Sequence, residues 1–271
     1  MLEKLTLVPT AGLCNRLNAI NSAIELKRLH PNIEVNIFWE NTYDCKAFFT
    51  DLFKQLDCSF NINKGVQRLE KYYLCPGSKR NLYIPNILKK FYFDAFFNAV
   101  NYNRMNFFEI VQNYKNVYIS SYNPFTPYEI EESLGNIFKP VQELQDIIDS
   151  IRSSYAKNTI GLHIRRTDNL VAIKNSPIEK FYKFIDDEIK KDNEVKFFLA
   201  TDSQEVKELL KKKYPQRILF YNSTLNRNSL QGMKDAVVEL YCLGYTSKIL
   251  GSQGSTYTNL ASRLFNIELI K

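Results

Sequence analysis

Residues 5–41, "LTLVPTAGLCNRLNAINSAIELKRLHPNIEVNIFWEN", hold one complete unit of the fold. Residues 5–8 read as a short strand, a turn containing Gly12 and Asn15 interrupts it, and Leu17, Ile20, Ile24 and Leu26 then follow at helical spacing. Pro31 lacks the N–H that a helix needs, so the helix stops there and the chain enters a second strand over 34–39. The whole is a β-loop-α-β unit.

The second half of the chain repeats this plan. Strands are predicted over 158–164 ("NTIGLHI"), 196–201 ("KFFLAT"), 217–221 ("RILFY") and 247–252 ("SKILGS"). Helices are predicted over 177–191, 203–214, 229–245 and 255–265. Strands alternating with helices imply a parallel sheet covered on both faces. Between the halves lie a strand, "NVYISSY" over 116–122, and a helix over 140–155 that sets Val141, Leu144, Ile147, Ile148 and Ile151 at helical spacing. Residues 60–115, crowded with aromatic and basic side chains and broken at Pro76 and Gly77, read as mixed helix and irregular structure. The length suits two doubly wound α/β domains, which we divide as 1–135 and 136–271.

With 45% hydrophobic and 24% charged residues over 271 positions, the chain has a globular composition, and global disorder is excluded. Its formal charge of +7 and isoelectric point near 9.0 permit a polyanionic partner: nucleic acid, an acidic membrane surface, or a ligand bearing phosphates. No basic run resembles a nucleic-acid tail, and Lys211, Lys212 and Lys213 read as the solvated face of a helix, so nucleic acid is not expected. A membrane-surface contact stays open. Cysteines at 14, 45, 58, 75 and 242 are irregularly spaced without CxxC pairs, which suggests a reducing compartment and neither a disulfide framework nor a zinc site. No apolar run approaches the roughly 18 to 20 residues that cross a bilayer, and the start lacks the apolar core of a signal peptide, so the reading is cytoplasmic.

In open α/β sheets ligands collect at the carboxyl ends of the strands, where helix N-termini point their N–H groups. Three predicted strand ends in the second half carry polar clusters: "HIRRTDN" (163–169), "ATDS" (200–203) and "GSQGST" (251–256). Arginine suits a diphosphate, because its planar fork makes two parallel charge-assisted bonds at any working pH. Arg165 and Arg166, adjacent on extended chain, point opposite ways, so one could meet a ligand while the other pairs internally with Asp168 or another rim carboxylate. Taken singly, each cluster also reads as ordinary structure: a local Arg/Asp pair, a satisfied core histidine at His163, or an N-cap at Asp202, Ser203 or Ser255.

Taken together, "HIRRTDN", "SPIEKF", "FFLATDSQEV", "NSLQGMKDAVVEL" and "ILGSQGST", in this order, resemble the C-terminal half of the α-1,6-fucosyltransferases, the rhizobial nodulation and core N-glycan enzymes. The specific part is the His-x-Arg-Arg-x-Asp motif, His163, Arg165, Arg166 and Asp168. "GLCNRLNAI" looks like the strand-to-helix turn near the start of several fucosyltransferase groups, and "FWENTYDCKAFFTDLF" resembles bacterial and viral relatives.

The resemblance implies a GT-B fold, two Rossmann-like domains facing a central cleft, and an inverting glycosyltransferase that uses GDP-fucose without a metal ion or other cofactor. Residues 1–135 would form the acceptor side and 136–271 the nucleotide-sugar donor side. Arg165, Arg166 and Asp168 are the expected catalytic residues, Arg165 being the direct diphosphate contact. Donor binding would draw on His163, Asp202, Asp235, Ser252, Gln253, Gly254, Ser255 and Thr256, and Gly12, Asn15 and Arg16 would contact donor or acceptor. Asp235 and Glu239, four residues apart on a helix, also read as a solvated face. The absence of an Asp-x-Asp pair at a strand end agrees with a site that needs no metal.

The acceptor hydroxyl needs a general base. The core N-glycan enzymes place a glutamate five residues after the motif aspartate, where this chain has Ile173, which leaves Asp168, Glu179, Glu40 and Asp44 as candidates. Two further readings remain open: the same fold using another nucleotide sugar, and a binding protein without catalysis. A binder of anionic surfaces, drawing on the basic aromatic stretch 64–108, is a third.

Overall fold

The computed structural model describes residues 2–57, 59–64, 67–98, 109–126, 133–167, 170–224, 226 and 228–270. The chain divides into two compact units, Met1–Thr50 with Gln55–Glu131, and Asp51–Lys54 with Glu132–Lys271.

In the N-terminal unit the opening stretch forms β1 (Lys4–Pro9), α1 (Leu13–Leu29) and β2 (Glu34–Ile37). The short α2 (Phe49–Leu52), whose Asp51 and Leu52 group with the other unit, then β3 (Phe60–Ile62), α3 (Glu70–Leu74), α4 (Ile84–Tyr92), β4 (Ala95–Asn98) and β5 (Asn116–Ser121) follow. The sheet is parallel in the order β3-β2-β1-β5-β4, with Leu5 opposite both Val35 and Val117. Leu17, Ile20 and Ile24 of α1 are buried, as their spacing predicts, but Arg16, Asn21, Ser22 and Glu25 are buried with them. The second strand stops at Ile37, short of the predicted 39, because Asn63 takes over from the sheet. Its amide accepts the Trp39 N–H at 2.8 Å and donates to the Trp39 carbonyl at 2.7 Å, from a left-handed backbone at φ 51°.

Residues 60–115 depart from the reading of mixed helix and irregular structure, since they supply both edge strands, β3 and β4. Three or four residues are too few for a hydrophobic period to show, and an edge strand gains its ladder from a neighbour distant in sequence.

The C-terminal unit contains α5 (Leu134–Ile137), α6 (Gln142–Arg152), β6 (Thr159–Ile164), α7 (Leu170–Asn175), α8 (Ile178–Lys191) and β7 (Lys196–Thr201). It continues with α9 (Gln204–Lys213), β8 (Ile218–Phe220), α10 (Leu230–Gly244), β9 (Lys248–Gly251), α11 (Thr256–Phe265) and β10 (Glu268–Ile270). The last strand is absent from the sequence reading. All neighbours are parallel in the order β10-β9-β6-β7-β8.

Every residue of β6 is buried, as expected of a central parallel strand covered on both faces. Ile160, Leu162 and Ile164 pack with Phe197, Leu199 and Leu250 against Phe181, Ile185, Val206 and Leu210. Each such side chain contributes about 1.5–3 kcal/mol when fully buried. Strands run outward from β6 through β7 to β8, after which the chain crosses back to β9. The β6/β9 junction is therefore the topological switch point, where the loops diverge and leave room for a ligand. No described helix is long and apolar enough to cross a membrane.

Candidate active site

The three polar clusters do converge, at the carboxyl ends of β6, β7 and β9, and hydrogen bonds lock them together. After Ile164 the chain leaves the sheet, and two neighbours hold its backbone from either side. The Arg165 N–H donates to Ser252 Oγ at 3.0 Å, from the β9 end. The Arg166 N–H donates to Asp202 Oδ1 at 2.7 Å, from the β7 end. Asp202 Oδ2 also accepts the Thr167 hydroxyl at 2.8 Å and its N–H at 3.4 Å. Asp202 is thus a backbone anchor for the arginine loop, and the N-cap of α9 falls to Ser203, whose Oγ accepts the Val206 N–H at 3.3 Å.

The two arginines differ in what their side chains do. Arg166 donates through one guanidinium nitrogen to the Arg165 carbonyl and through the other to the Ser176 carbonyl, both at 2.9 Å. Its guanidinium carbon stands 5.9 Å from the Phe181 ring centre. Burial lowers its pKa, opposed by the charges of Asp202 and Glu179. The internal partners anticipated for one arginine were carboxylates; for Arg166 they are two main-chain carbonyls. Arg166 therefore fastens the loop, and Arg165 stands half-buried at the strand end.

Ser176, which sequence reasoning missed, closes the structure. It is fully buried, its carbonyl receives Arg166, and its Oγ accepts the Gln253 N–H at 2.9 Å. The loop after β6 and the turn after β9 thereby become one body. Gln253, Gly254 and Thr256 are exposed at the start of α11, while Ser252 and Ser255 are buried. Gly254 has φ 74°, a left-handed conformation natural to glycine. Ser255 caps α11 by accepting the Thr258 N–H at 3.4 Å.

His163 is the satisfied interior histidine of the alternative reading. It is 8% exposed, its Nδ1 lies 2.6 Å from Thr258 Oγ1, and its ring packs 5.0 Å from that of Tyr257. Its carbonyl accepts the Ser252 N–H at 2.9 Å, which ties β6 to the turn after β9. Asp235 is buried and accepts the Thr224 N–H at 2.7 Å, Gln231 Nε2 at 2.8 Å and the Tyr221 hydroxyl at 3.3 Å. It anchors the loop after β8, aided by buried Lys207, which donates to the Tyr221 carbonyl and to Ser223 Oγ at 3.1 Å each. Glu239 accepts from Ser223 at 3.0 Å, so neither carboxylate belongs to a solvated face. Nothing in the spacing of Ser176, Lys207 or Thr258 marks them; they are found through their partners.

Among the candidate bases, Asp168 lies outside the described residues. Glu179 is exposed in the first turn of α8, and half-buried Ile173 lies on α7.

In the N-terminal unit, Arg16 lies in the interior. It is 1% exposed and donates to the Ala11 carbonyl at 2.8 Å, the Glu40 carbonyl at 2.5 Å and Thr42 Oγ1 at 2.6 Å, with its guanidinium 4.9 Å from the Trp39 ring centre. The expected ligand contact is replaced by a clamp on the turn after β2, and burial lowers the Arg16 pKa. Gly12 precedes α1, and Asn15 is half-buried in its first turn. Asp44 is exposed. Glu40 lines a hollow of about 480 Å³ with Trp39, Asn41, Phe48, Asn63 and Lys71, and its Oε1 accepts the Cys75 thiol at 3.3 Å.

No family model and no curated protein sequence matches the chain. Solved structures do. NodZ α-1,6-fucosyltransferase co-crystallised with GDP superposes with a TM-score of 0.63 at 16% identity, over 97% of this chain and 93% of that one. A mutant of Arabidopsis thaliana FUT1 in complex with GDP gives 0.65 at 14% identity, over 99% and 70%. POFUT1 in complex with GDP-fucose gives 0.55 at 10%, over 98% and 94%. The chain therefore has the α/β fold of the GT-B fucosyltransferases, with two parallel sheets.

Proposed function

We propose that the protein is an inverting, metal-independent glycosyltransferase that transfers fucose from GDP-fucose to a glycan hydroxyl. The observation that carries this reading is the loop Arg165–Thr167, braced between Ser252 and Asp202 at the switch point, which holds Arg165 beside the exposed start of α11. A diphosphate there would meet a guanidinium and the N-terminal end of a helix. The likeness to structures that hold GDP or GDP-fucose supports the same reading.

In the reaction, the acceptor oxygen bonds to the sugar's anomeric carbon from the face opposite the donor phosphate, the bond to phosphate breaks, and GDP leaves with the electron pair. Negative charge grows on the diphosphate as that bond lengthens, and Arg165 stabilises it. The acceptor's proton passes to a carboxylate. In this proposal the N-terminal unit receives the acceptor, and Glu40, beside the hollow of about 480 Å³, is the base candidate with room for a sugar next to it.

A thermal-shift panel of nucleotide sugars followed by transfer assays tests the reading. GDP-fucose at a hundredfold excess over Kd stabilises the fold by about 2.7 kcal/mol. Arg165→Ala lowers transfer by about 10²-fold or more. An Arg165→Ala protein that transfers at the wild-type rate refutes the assignment. Ile173 in place of the family glutamate favours one second reading, a nucleotide-sugar binder without catalysis. Binding of GDP-fucose with neither transfer nor hydrolysis would establish that.

A further inference from the structure

The stretch from Lys71 to Phe93, bounded by Glu70 and Asp94, contains Lys71, Lys79, Arg80, Lys89 and Lys90 and no carboxylate of its own, in a chain whose net charge is +7. Lys89 is buried; the other four are exposed. The same stretch turns large apolar side chains outward: Leu82, Tyr83, Ile84, Ile87 and Phe91 are between 47% and 80% exposed. That is unusual, because single exposed apolar residues are ordinary but a contiguous group marks a contact surface.

The group is a stripe held in place. Ile84, Ile87 and Phe91 fall at i, i+3 and i+7 on α4, one side of the helix. The other side carries buried Pro85 and Lys89; Lys89 Nζ donates to the Cys75 carbonyl at 2.6 Å and stands 4.3 Å from the Tyr118 ring centre. The helix is thus fastened by its inner face and cannot simply roll its apolar stripe inward. Immediately before it, Leu82 and Tyr83 both adopt left-handed backbone, φ 50° and 55°, which disfavours residues bearing a β-carbon.

We infer that this face of the N-terminal unit docks on an anionic lipid bilayer, with Leu82, Tyr83, Ile84, Ile87 and Phe91 entering the headgroup region and Lys79, Arg80 and Lys90 lying at the level of the lipid phosphates. Charge selects the occupant. A second copy of the chain would bring the same cations face to face, since a two-fold contact repeats its own patch. Nucleic acid would satisfy the cations but has no use for exposed aliphatic side chains such as Leu82, Ile84 and Ile87. An amphipathic segment with basic flanks lying in the interface plane satisfies both.

The test is co-sedimentation of the full chain with vesicles of phosphatidylcholine alone or mixed with phosphatidylserine. Binding to the mixed vesicles, weakened by added salt and about tenfold or more weaker on phosphatidylcholine alone, is expected. Ile87→Ser with Phe91→Ser lowers binding by about tenfold or more, with an unchanged melting temperature. Independently, Lys79→Gln, Arg80→Gln and Lys90→Gln together lower it by about a hundredfold, since each cation near such a surface is worth about a factor of five. Failure to bind mixed vesicles at low salt overturns the inference. So does wild-type binding by either variant, self-association that the serine variant abolishes while vesicle binding persists, or retention on single-stranded RNA without vesicle binding.

Discussion

Replacing Arg166 separates its assigned role, fastening the loop, from direct contact with a ligand. Its guanidinium bridges the Arg165 and Ser176 carbonyls at 2.9 Å each, and Ser176 in turn holds the Gln253 N–H. A hydrogen bond to a charged group contributes about 1.5–3 kcal/mol. Lysine can satisfy one of the two carbonyls at a time, so Arg166→Lys costs about 1.5–3 kcal/mol. Arg166→Ala removes both bonds, but water reaches the half-buried loop and replaces part of the loss, which leaves about 2–4 kcal/mol.

The cost is limited to the free energy of opening the loop, so it should appear locally before it appears globally. Native-state hydrogen exchange at the amides of Thr167 and Gln253 is the direct assay. Each is bonded within this body, to Asp202 and to Ser176. Arg166→Ala speeds their exchange by about 30-fold or more and Arg166→Lys by about tenfold, at 1.4 kcal/mol per tenfold. Arg165→Ala leaves both amides close to their wild-type rates while abolishing nucleotide binding. Unchanged exchange at both amides in Arg166→Ala, with an unchanged urea midpoint, would refute the role given to this arginine.

Two other outcomes follow from particular contacts. A β-carbon on Gly251 would lie 2.1 Å from Thr258 Cγ2, so Gly251→Ala forces α11 away from β9 and loosens the Thr258 partner of His163. Chemical denaturation should show a loss of about 1–3 kcal/mol, the usual cost of overpacking, and wild-type stability would contradict the close approach. Burial lowers Lys89 from 10.5 to about 8, against an opposing pull from Cys75. Between those two values the unfolded chain binds a proton that the folded chain does not, so stability rises with pH across that window, by at most about 1.4 kcal/mol per pH unit. Below it both states are protonated and the slope vanishes. Lys89→Met should flatten urea-midpoint-versus-pH profiles over this range, and a variant with the wild-type slope would show that another group titrates there.

The alternation of β-like runs and helical periods was enough to specify two parallel sheets, because burial on both faces leaves continuous apolar strands and each crossover helix needs its own apolar stripe. The charges after His163 were also legible as something other than core, and the structure gives Arg166 main-chain carbonyl partners at the end of the buried strand. What each of those charges does was beyond the pattern. Spacing alone does not tell Arg165 from Arg166, although the family resemblance singled out Arg165, and it is the Ser176 carbonyl, 10 residues on, that makes Arg166 a brace of the loop. Arg16 looks like a loop residue beside Gly12, yet the turn carrying Glu40 and Thr42 folds over it and makes it a buried clamp. Asp202, legible as an N-cap, instead receives the N–H groups of a strand-end loop 36 and 35 residues earlier. Such assignments turn on which donors and acceptors, far apart in the chain, arrive within about 3 Å of one another, and the order of strands across the sheet brings them there.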